Sequence, residues 1–203
     1  MIDVGFFDFG GVIAEEGFVG GLRAIGLEQG KDPDAVLQAG VDAAWETEFV
    51  LGRSDEAAFW AFVRDRAGVK GEDAALRQYL YDHFVVRPWM LEAVDRVRAA
   101  GVRPAILSDQ MWWLDKMDEK HGFFKRFDMV FNSYHSGLSK REEAFFELAM
   151  EGMGTTPART FFVDDNEGNV ERARKLGMNA ILYVDRPAFE RELYALVPAA
   201  AGK

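Results

Sequence analysis

The sequence predicts an α/β fold of three layers, a parallel sheet covered by helices on both faces, with a small all-helical cap domain set over it. Three observations lead there. Short apolar runs alternate with amphipathic stretches of helix length, the pattern of strand–helix units in a parallel sheet. Glycine stands just past several of those stretches, where helices commonly end in a left-handed residue. One long segment near the N-terminus carries helical periodicity throughout and no strand-like run.

Residues 4–7 form the first apolar run and read as a buried strand. Residues 104–107, 129–131, 160–163 and 180–183 supply four more. Between them, the helical stretch 90–100 is closed by Gly101 and 112–121 by Gly122. The stretch 142–150 is closed by Gly152 and 169–176 by Gly177. In the long segment 15–87, Val36, Leu37, Val41, Ala44, Trp45 and Phe49 fall near one stripe of a helix over 33–50. Ser54-Asp55-Glu56 starts a second helix, and 73–84 is a third. A single crossover needs far fewer residues than this. Residues 1–14 and 88–203 are therefore assigned to the core domain and 15–87 to the cap domain. Hinges near 14–17 and 87–88 would let the cap close over a substrate and open for release.

The chain of 203 residues is long enough for one sizeable core and a small second unit. It has no cysteine, which excludes disulfides and thiolate metal sites. No apolar stretch reaches membrane length, and the cytoplasm is the expected location. A formal charge of −10 disfavours nucleic acid and anionic membranes as partners. It also means that an anionic substrate needs a local cation. Nothing in the sequence encodes an oligomeric state.

Ligands of open parallel sheets bind beyond the carboxyl ends of the strands. The residues that follow the expected strands are Asp8-Phe9-Gly10-Gly11, then Ser108-Asp109, then Lys140 in the loop 137–140 after the third strand, then Asp164-Asp165 with Asn169 behind. A carboxylate can attack phosphorus, and it needs no deprotonation near neutral pH. Two carboxylates and a phosphate dianion bring about four negative charges together, and Mg²⁺ plus one lysine return three. Magnesium favours a few carboxylates with water and phosphate oxygens, which fits Asp8 and Asp165. Ser108 can donate to a phosphate oxygen, and the N–H groups of Phe9, Gly10 and Gly11 can form an anion nest. Asp109 contacts a substrate hydroxyl or cation, or caps residues 110–114; the sequence does not choose.

This order of motifs resembles the haloacid dehalogenase-like (HAD) hydrolase superfamily over nearly the whole chain. The residues that carry the likeness are Asp8, Ser108, Lys140 and Asp165, each after an expected strand. The resemblance implies a Rossmann-like core, Asp8 as nucleophile, and a Mg²⁺ held by Asp8, Asp165 and the backbone carbonyl of Gly10. It gives Asn169 the support of a metal-bound water and places Asp164 behind the direct ligands. The cap inserted after the first motif matches a phosphatase-type subfamily. The expected activity is a Mg²⁺-dependent phosphatase acting on a small phosphorylated metabolite through an aspartyl-phosphate.

One position departs from that pattern. Most phosphatases of this family carry a second aspartate two residues after the nucleophile, as general acid and base; here Gly10 stands there, as glycine does in some members that otherwise resemble phosphatases. Loss of such a group typically costs about 10²–10⁴-fold. Glu15, Glu16, Glu48 or a metal-bound water can replace it, or substrates with good leaving groups can do without it. Two further readings stay open. A 2-haloacid dehalogenase would use Asp8 on carbon and an arginine, Arg23 or Arg53, for the substrate carboxylate. A binding protein would hold a phosphorylated ligand without turnover. Trp45 and Phe49, one turn apart, read as core. His83 and His121 read as structural, and His135 as an outside candidate proton carrier.

Overall fold

In the computed structural model, which describes residues 1–201, five strands form one parallel sheet in the order β3-β2-β1-β4-β5. The strands are β1 (Val4–Phe7), β2 (Arg103–Ser108), β3 (Met129–Asn132), β4 (Thr160–Asp164) and β5 (Asn179–Leu182). Four helices follow β1 directly: α1 (Gly17–Glu28), α2 (Pro33–Glu46), α3 (Glu56–Ala67) and α4 (Asp73–His83). The rest alternate with strands: α5 (Pro88–Ala99), α6 (Trp113–His121), α7 (Ser133–Ser136), α8 (Glu143–Met153), α9 (Glu167–Lys175) and α10 (Arg186–Leu196).

Successive side chains of a strand face opposite ways, and the sheet uses both faces. Phe7, Ile106, Phe161 and Val163 join a core with α5, α6 and α10, and this core continues into α1–α4. Phe6, Leu107 and Phe162 join a second core with Phe145, Phe146 and Ala149 of α8 and Ala173 of α9. The sheet is thus covered on both faces, as the continuous apolar strands require.

Several sequence expectations shift by a turn. The third predicted stop, Gly152, lies inside α8, packed beside Phe131, and the left-handed cap is Gly154 at φ 59°. The helix expected over 33–50 breaks after Glu46. Glu48 takes a left-handed conformation at φ 57°, and a 3₁₀ turn Phe49–Leu51 follows. The apolar C-terminal run Pro198–Ala201 is a 3₁₀ turn with Ala200 buried.

The helical block is entered and left at one place. Ala14 and Val86 form an antiparallel bridge, and the backbone N–H groups of Glu15 and Arg87 donate to Val85 (2.9 Å) and Ile13 (2.8 Å). Arg87 adds a side-chain pair to Glu15 (2.8 Å) and donates to the carbonyl of Val12 (2.9 Å). Aromatic rings then tie the block to the core. Trp113 of α6 stacks on Trp60 and meets Phe49 and Phe59 edge-on, and Phe9 lies against Phe84 and Phe123.

Candidate active site

The chain moves from β1 to β2 on one side and later returns to β4 on the other. The carboxyl ends of β1 and β4 therefore flank the point where strand order reverses, the usual ligand crevice of such sheets. Asp8 follows β1, and Asp164 ends β4. A cavity of about 270 Å³ opens there, at the small end of ligand sites. It is lined by Asp8, Gly10, Asp109, Lys140, Asp164, Asp165 and Asn169 from the core, and by Glu16, Phe18, Val41 and Trp45 from the helical block.

Lys140 is the hub. Its ammonium is 2.9 Å from Asp8 Oδ1 and 2.6 Å from Asp164 Oδ2, and all three side chains are almost fully buried. Burial works against its charge, yet Asp164, Asp8 and Asp109 together outweigh this and hold it protonated. Asp8 Oδ1 also accepts from Ser108 Oγ (2.6 Å) and from the Phe9 N–H (2.7 Å). Asp164 Oδ1 accepts the Asn166 N–H (2.7 Å), and the Asn169 amide donates to both carboxylate oxygens, Oδ1 (3.3 Å) and Oδ2 (3.2 Å). Asp109 neither caps a helix nor waits free in solvent. Its carboxylate accepts the Lys140 backbone N–H (2.9 Å) and so positions the lysine.

Asp165 differs from Asp164, being solvent-exposed rather than buried. It lies against Gly11, whose φ is 76°; a Cβ there would overlap the Asp165 carboxylate. Asp8, Asp164 and Asp165 each offer an oxygen within 4.8 Å of the others. Burial pushes Asp8 well above the usual carboxylate range, and Asp164 adds to this against the Lys140 charge. Although the residue is exposed, partial desolvation of its carboxylate against the site and then the Asp164 charge raise Asp165, and burial raises Asp109. One lysine thus leaves a surplus of negative charge among hard oxygen donors. That donor set fits a small divalent cation such as Mg²⁺.

The three glutamates left open by the sequence separate here. Glu15 pairs with Arg87, and Glu48 with Arg53 (2.6 Å). Glu16 alone lines the cavity. Burial, then the Asp165 charge, push it up to about 7, against the N–H groups of Val19 and Phe18 and the Lys140 charge. Trp45 lines the cavity too, with the Arg141 guanidinium 3.4 Å over its ring, whereas Phe49 is core as expected. His135 is exposed and meets Asp115 (2.7 Å), away from the cavity. Gln110 and Met111, after β2, also line the cavity and escape the sequence reading, although their place beyond a strand end is the available signal.

The arrangement is that of a carboxylate nucleophile held by a lysine and a hydroxyl, beside an acidic pair. A family model described as haloacid dehalogenase-like hydrolase matches residues 2–177. The chain belongs to the haloacid dehalogenase-like hydrolases. As a HAD-like hydrolase it is an enzyme. Its fold resembles a HAD family enzyme of Bacteroides thetaiotaomicron solved with magnesium and inorganic phosphate (TM-score 0.71, 21% identity, 92% of this chain and 95% of that one). It also resembles the L-2-haloacid dehalogenase of Xanthobacter autotrophicus (TM-score 0.67, 21% identity, 98% and 86%). At those identities the likeness establishes the fold alone. In sequence it is 34% identical to sesquiterpene phosphatase astK of Aspergillus oryzae over 82 residues, 40% of this chain and 42% of that protein. The chain spans between 10% and 42% of the length of the curated relatives compared. Among the described residues no helix is long and apolar enough to cross a membrane.

Proposed function

We propose that this HAD-like hydrolase is a Mg²⁺-dependent phosphatase that cleaves a small phosphorylated substrate through an aspartyl-phosphate on Asp8. The observation that carries this reading is the buried Lys140 bonded to Asp8 and Asp164, with Asp165 completing an oxygen-only acidic cluster. In this reading Asp8, Asp165 and the Gly10 carbonyl hold the metal. When bound, it supplies positive charge to the phosphoryl oxygens and to Asp8.

Asp8 is the nucleophile. The Ser108 hydroxyl and the Lys140 ammonium fix its Oδ1, which leaves Oδ2 to attack phosphorus in line with the leaving oxygen. Lys140 then stabilises charge on the phosphoryl oxygens, and Ser108 can turn its hydroxyl to one of them. Asp109 positions Lys140 through its backbone, and Asp164 holds the ammonium with help from Asn169. Gly10 borders the same space, while the Phe9 N–H serves Asp8 itself. Residues 15–87 act as the cap that excludes water and shapes recognition, over a core of 1–14 and 88–203.

Dehalogenation is less well supported. A 2-haloacid carboxylate needs a cationic clamp. Arg23 pairs with Asp34 (2.8 Å), Arg53 pairs with Glu48, and no arginine lines the cavity among the described residues. The test is phosphate release from p-nitrophenyl phosphate with and without Mg²⁺, using Asp8→Asn as the blank. Magnesium-dependent release that vanishes in the variant supports the phosphatase. Halide release from 2-chloropropionate without metal would replace it with the dehalogenase.

A further inference from the structure

We infer that Glu16, delivered by the helical block, is the proton donor and acceptor of this site, in place of the side chain that Gly10 lacks. The inference rests on the phosphatase reading and adds a catalytic residue to it. A Cβ built on Gly10 would sit 2.6 Å from Glu16 Oε2 and 3.3 Å from Gln110 Nε2. The Glu16 carboxylate therefore occupies the space that an aspartate at position 10 would fill. As Glu16 is placed here, the two carboxylates would compete for one space, so glycine at 10 leaves room for glutamate at 16.

Glu16 is not explained by a structural role. It stands at the N-cap of α1, yet its side chain closes no capping hydrogen bond and lines the cavity instead. Its neighbours at the block entrance are fixed. Gly17 is buried so tightly that a Cβ would overlap the Phe84 ring, and the Glu15 N–H is bonded to Val85. Backbone packing thus aims this carboxylate into the cavity that holds Asp8, while Glu15 and Glu48 are spent on arginines.

The proton balance closes with this one group. In the first half, an Asp8 carboxylate oxygen bonds to phosphorus and the bond from phosphorus to the leaving oxygen breaks. The leaving oxygen takes the proton of the Glu16 carboxyl. In the second half, a water oxygen bonds to phosphorus and gives a proton to the Glu16 carboxylate. The bond from phosphorus to Asp8 breaks, releasing inorganic phosphate and restoring both carboxyl groups to their starting state.

The test compares p-nitrophenyl phosphate, whose leaving group needs little protonation, with glycerol 2-phosphate, whose alkoxide needs a full proton. Both are assayed as kcat/KM with Mg²⁺ on the whole chain. Glu16→Gln should lower kcat/KM for glycerol 2-phosphate about 10²–10⁴-fold and for p-nitrophenyl phosphate less than about tenfold. Gly10→Asp alone should impair the enzyme, because the new side chain meets Glu16. Combined with Glu16→Ala it should recover most of the glycerol 2-phosphate activity that Glu16→Ala loses. Equal losses on both substrates without recovery in the double variant, or no loss on glycerol 2-phosphate, overturn the assignment of Glu16 alone. Wild-type protein that releases no phosphate from either substrate, or releases it equally as Asp8→Asn, overturns the phosphatase reading and this inference together. Thermal melting of each variant separates loss of the proton carrier from loss of fold.

Discussion

The two walls of the cavity are built on different principles. The wall supplied by the sheet is polar and closed on itself. Asp8, Ser108, Lys140, Asp164 and Asn169 are joined by a continuous set of hydrogen bonds, most of them out of water. The wall supplied by the helical block is apolar, with Phe18, Val41 and Trp45, and brings one carboxylate, Glu16. A buried charge network holds only if every member is present, because a lone charge left behind is costly. An apolar wall tolerates changes of shape at modest cost. The difference implies that chemistry is fixed on one side and recognition is adjustable on the other.

Predictions that break this contrast fall in order of size. Asp8→Asn should abolish turnover, by about 10⁴-fold or more, while the protein stays folded. Lys140→Met should fail twice, since Asp8 and Asp164 then face each other unpaired. We expect a loss of about 3–5 kcal/mol in stability, read by urea denaturation, together with loss of activity. A Lys140→Met protein as stable as the wild type would mean that the sheet wall is not a coupled network. Chelation with EDTA should stop phosphate release and readdition of Mg²⁺ should restore it, and stable activity in EDTA would remove the metal from the reading.

On the other side, Trp113→Ala tests how the block is attached. The Trp113 ring meets Trp60, Phe49 and Phe59, so its removal should cost about 3–5 kcal/mol by chemical denaturation. The smallest effect belongs to Trp45→Ala. It removes an apolar surface and the ring beneath Arg141, worth about 0.5–1 kcal/mol at an exposed site. It should lower stability by about that amount in chemical denaturation and leave kcat little changed. A large fall in kcat instead would place Trp45 in the chemistry and erase the contrast.

The sheet wall is the legible one. Asp8, Ser108 and Asp164 stand at or just past short apolar runs, and Lys140 and Asn169 follow in the loop and helix beyond. The strands of a parallel sheet all end at one edge, so order in sequence becomes proximity in space. The block is legible only as helix. Glu15, Glu16 and Glu48 are chemically alike in sequence, and which one faces the site depends on the phase of α1 and on the Arg87 and Arg53 partners. Trp45 and Phe49 share a helical stripe on paper. The left-handed turn at Glu48 ends that helix early, sending Phe49 into the core and leaving Trp45 at the cavity. The C-terminal helix α10 escapes the sequence reading, although Asp185 before Arg186-Pro187 is a capping signal, and its side chain does accept the Ala188 N–H (2.8 Å).

The Ala14–Val86 bridge has a consequence for how such a molecule can diversify. The two ends of the inserted segment are already clasped, so the entropy of closing it grows only as the logarithm of its length. A segment with more or fewer helices can hang from the same clasp without altering the register of β1 against β2 and β4. Glu16 sits two residues inside that clasp, close to Gly10 whatever lies beyond it. Replacement of the distal helices would therefore change what is recognised while leaving the proton carrier in place.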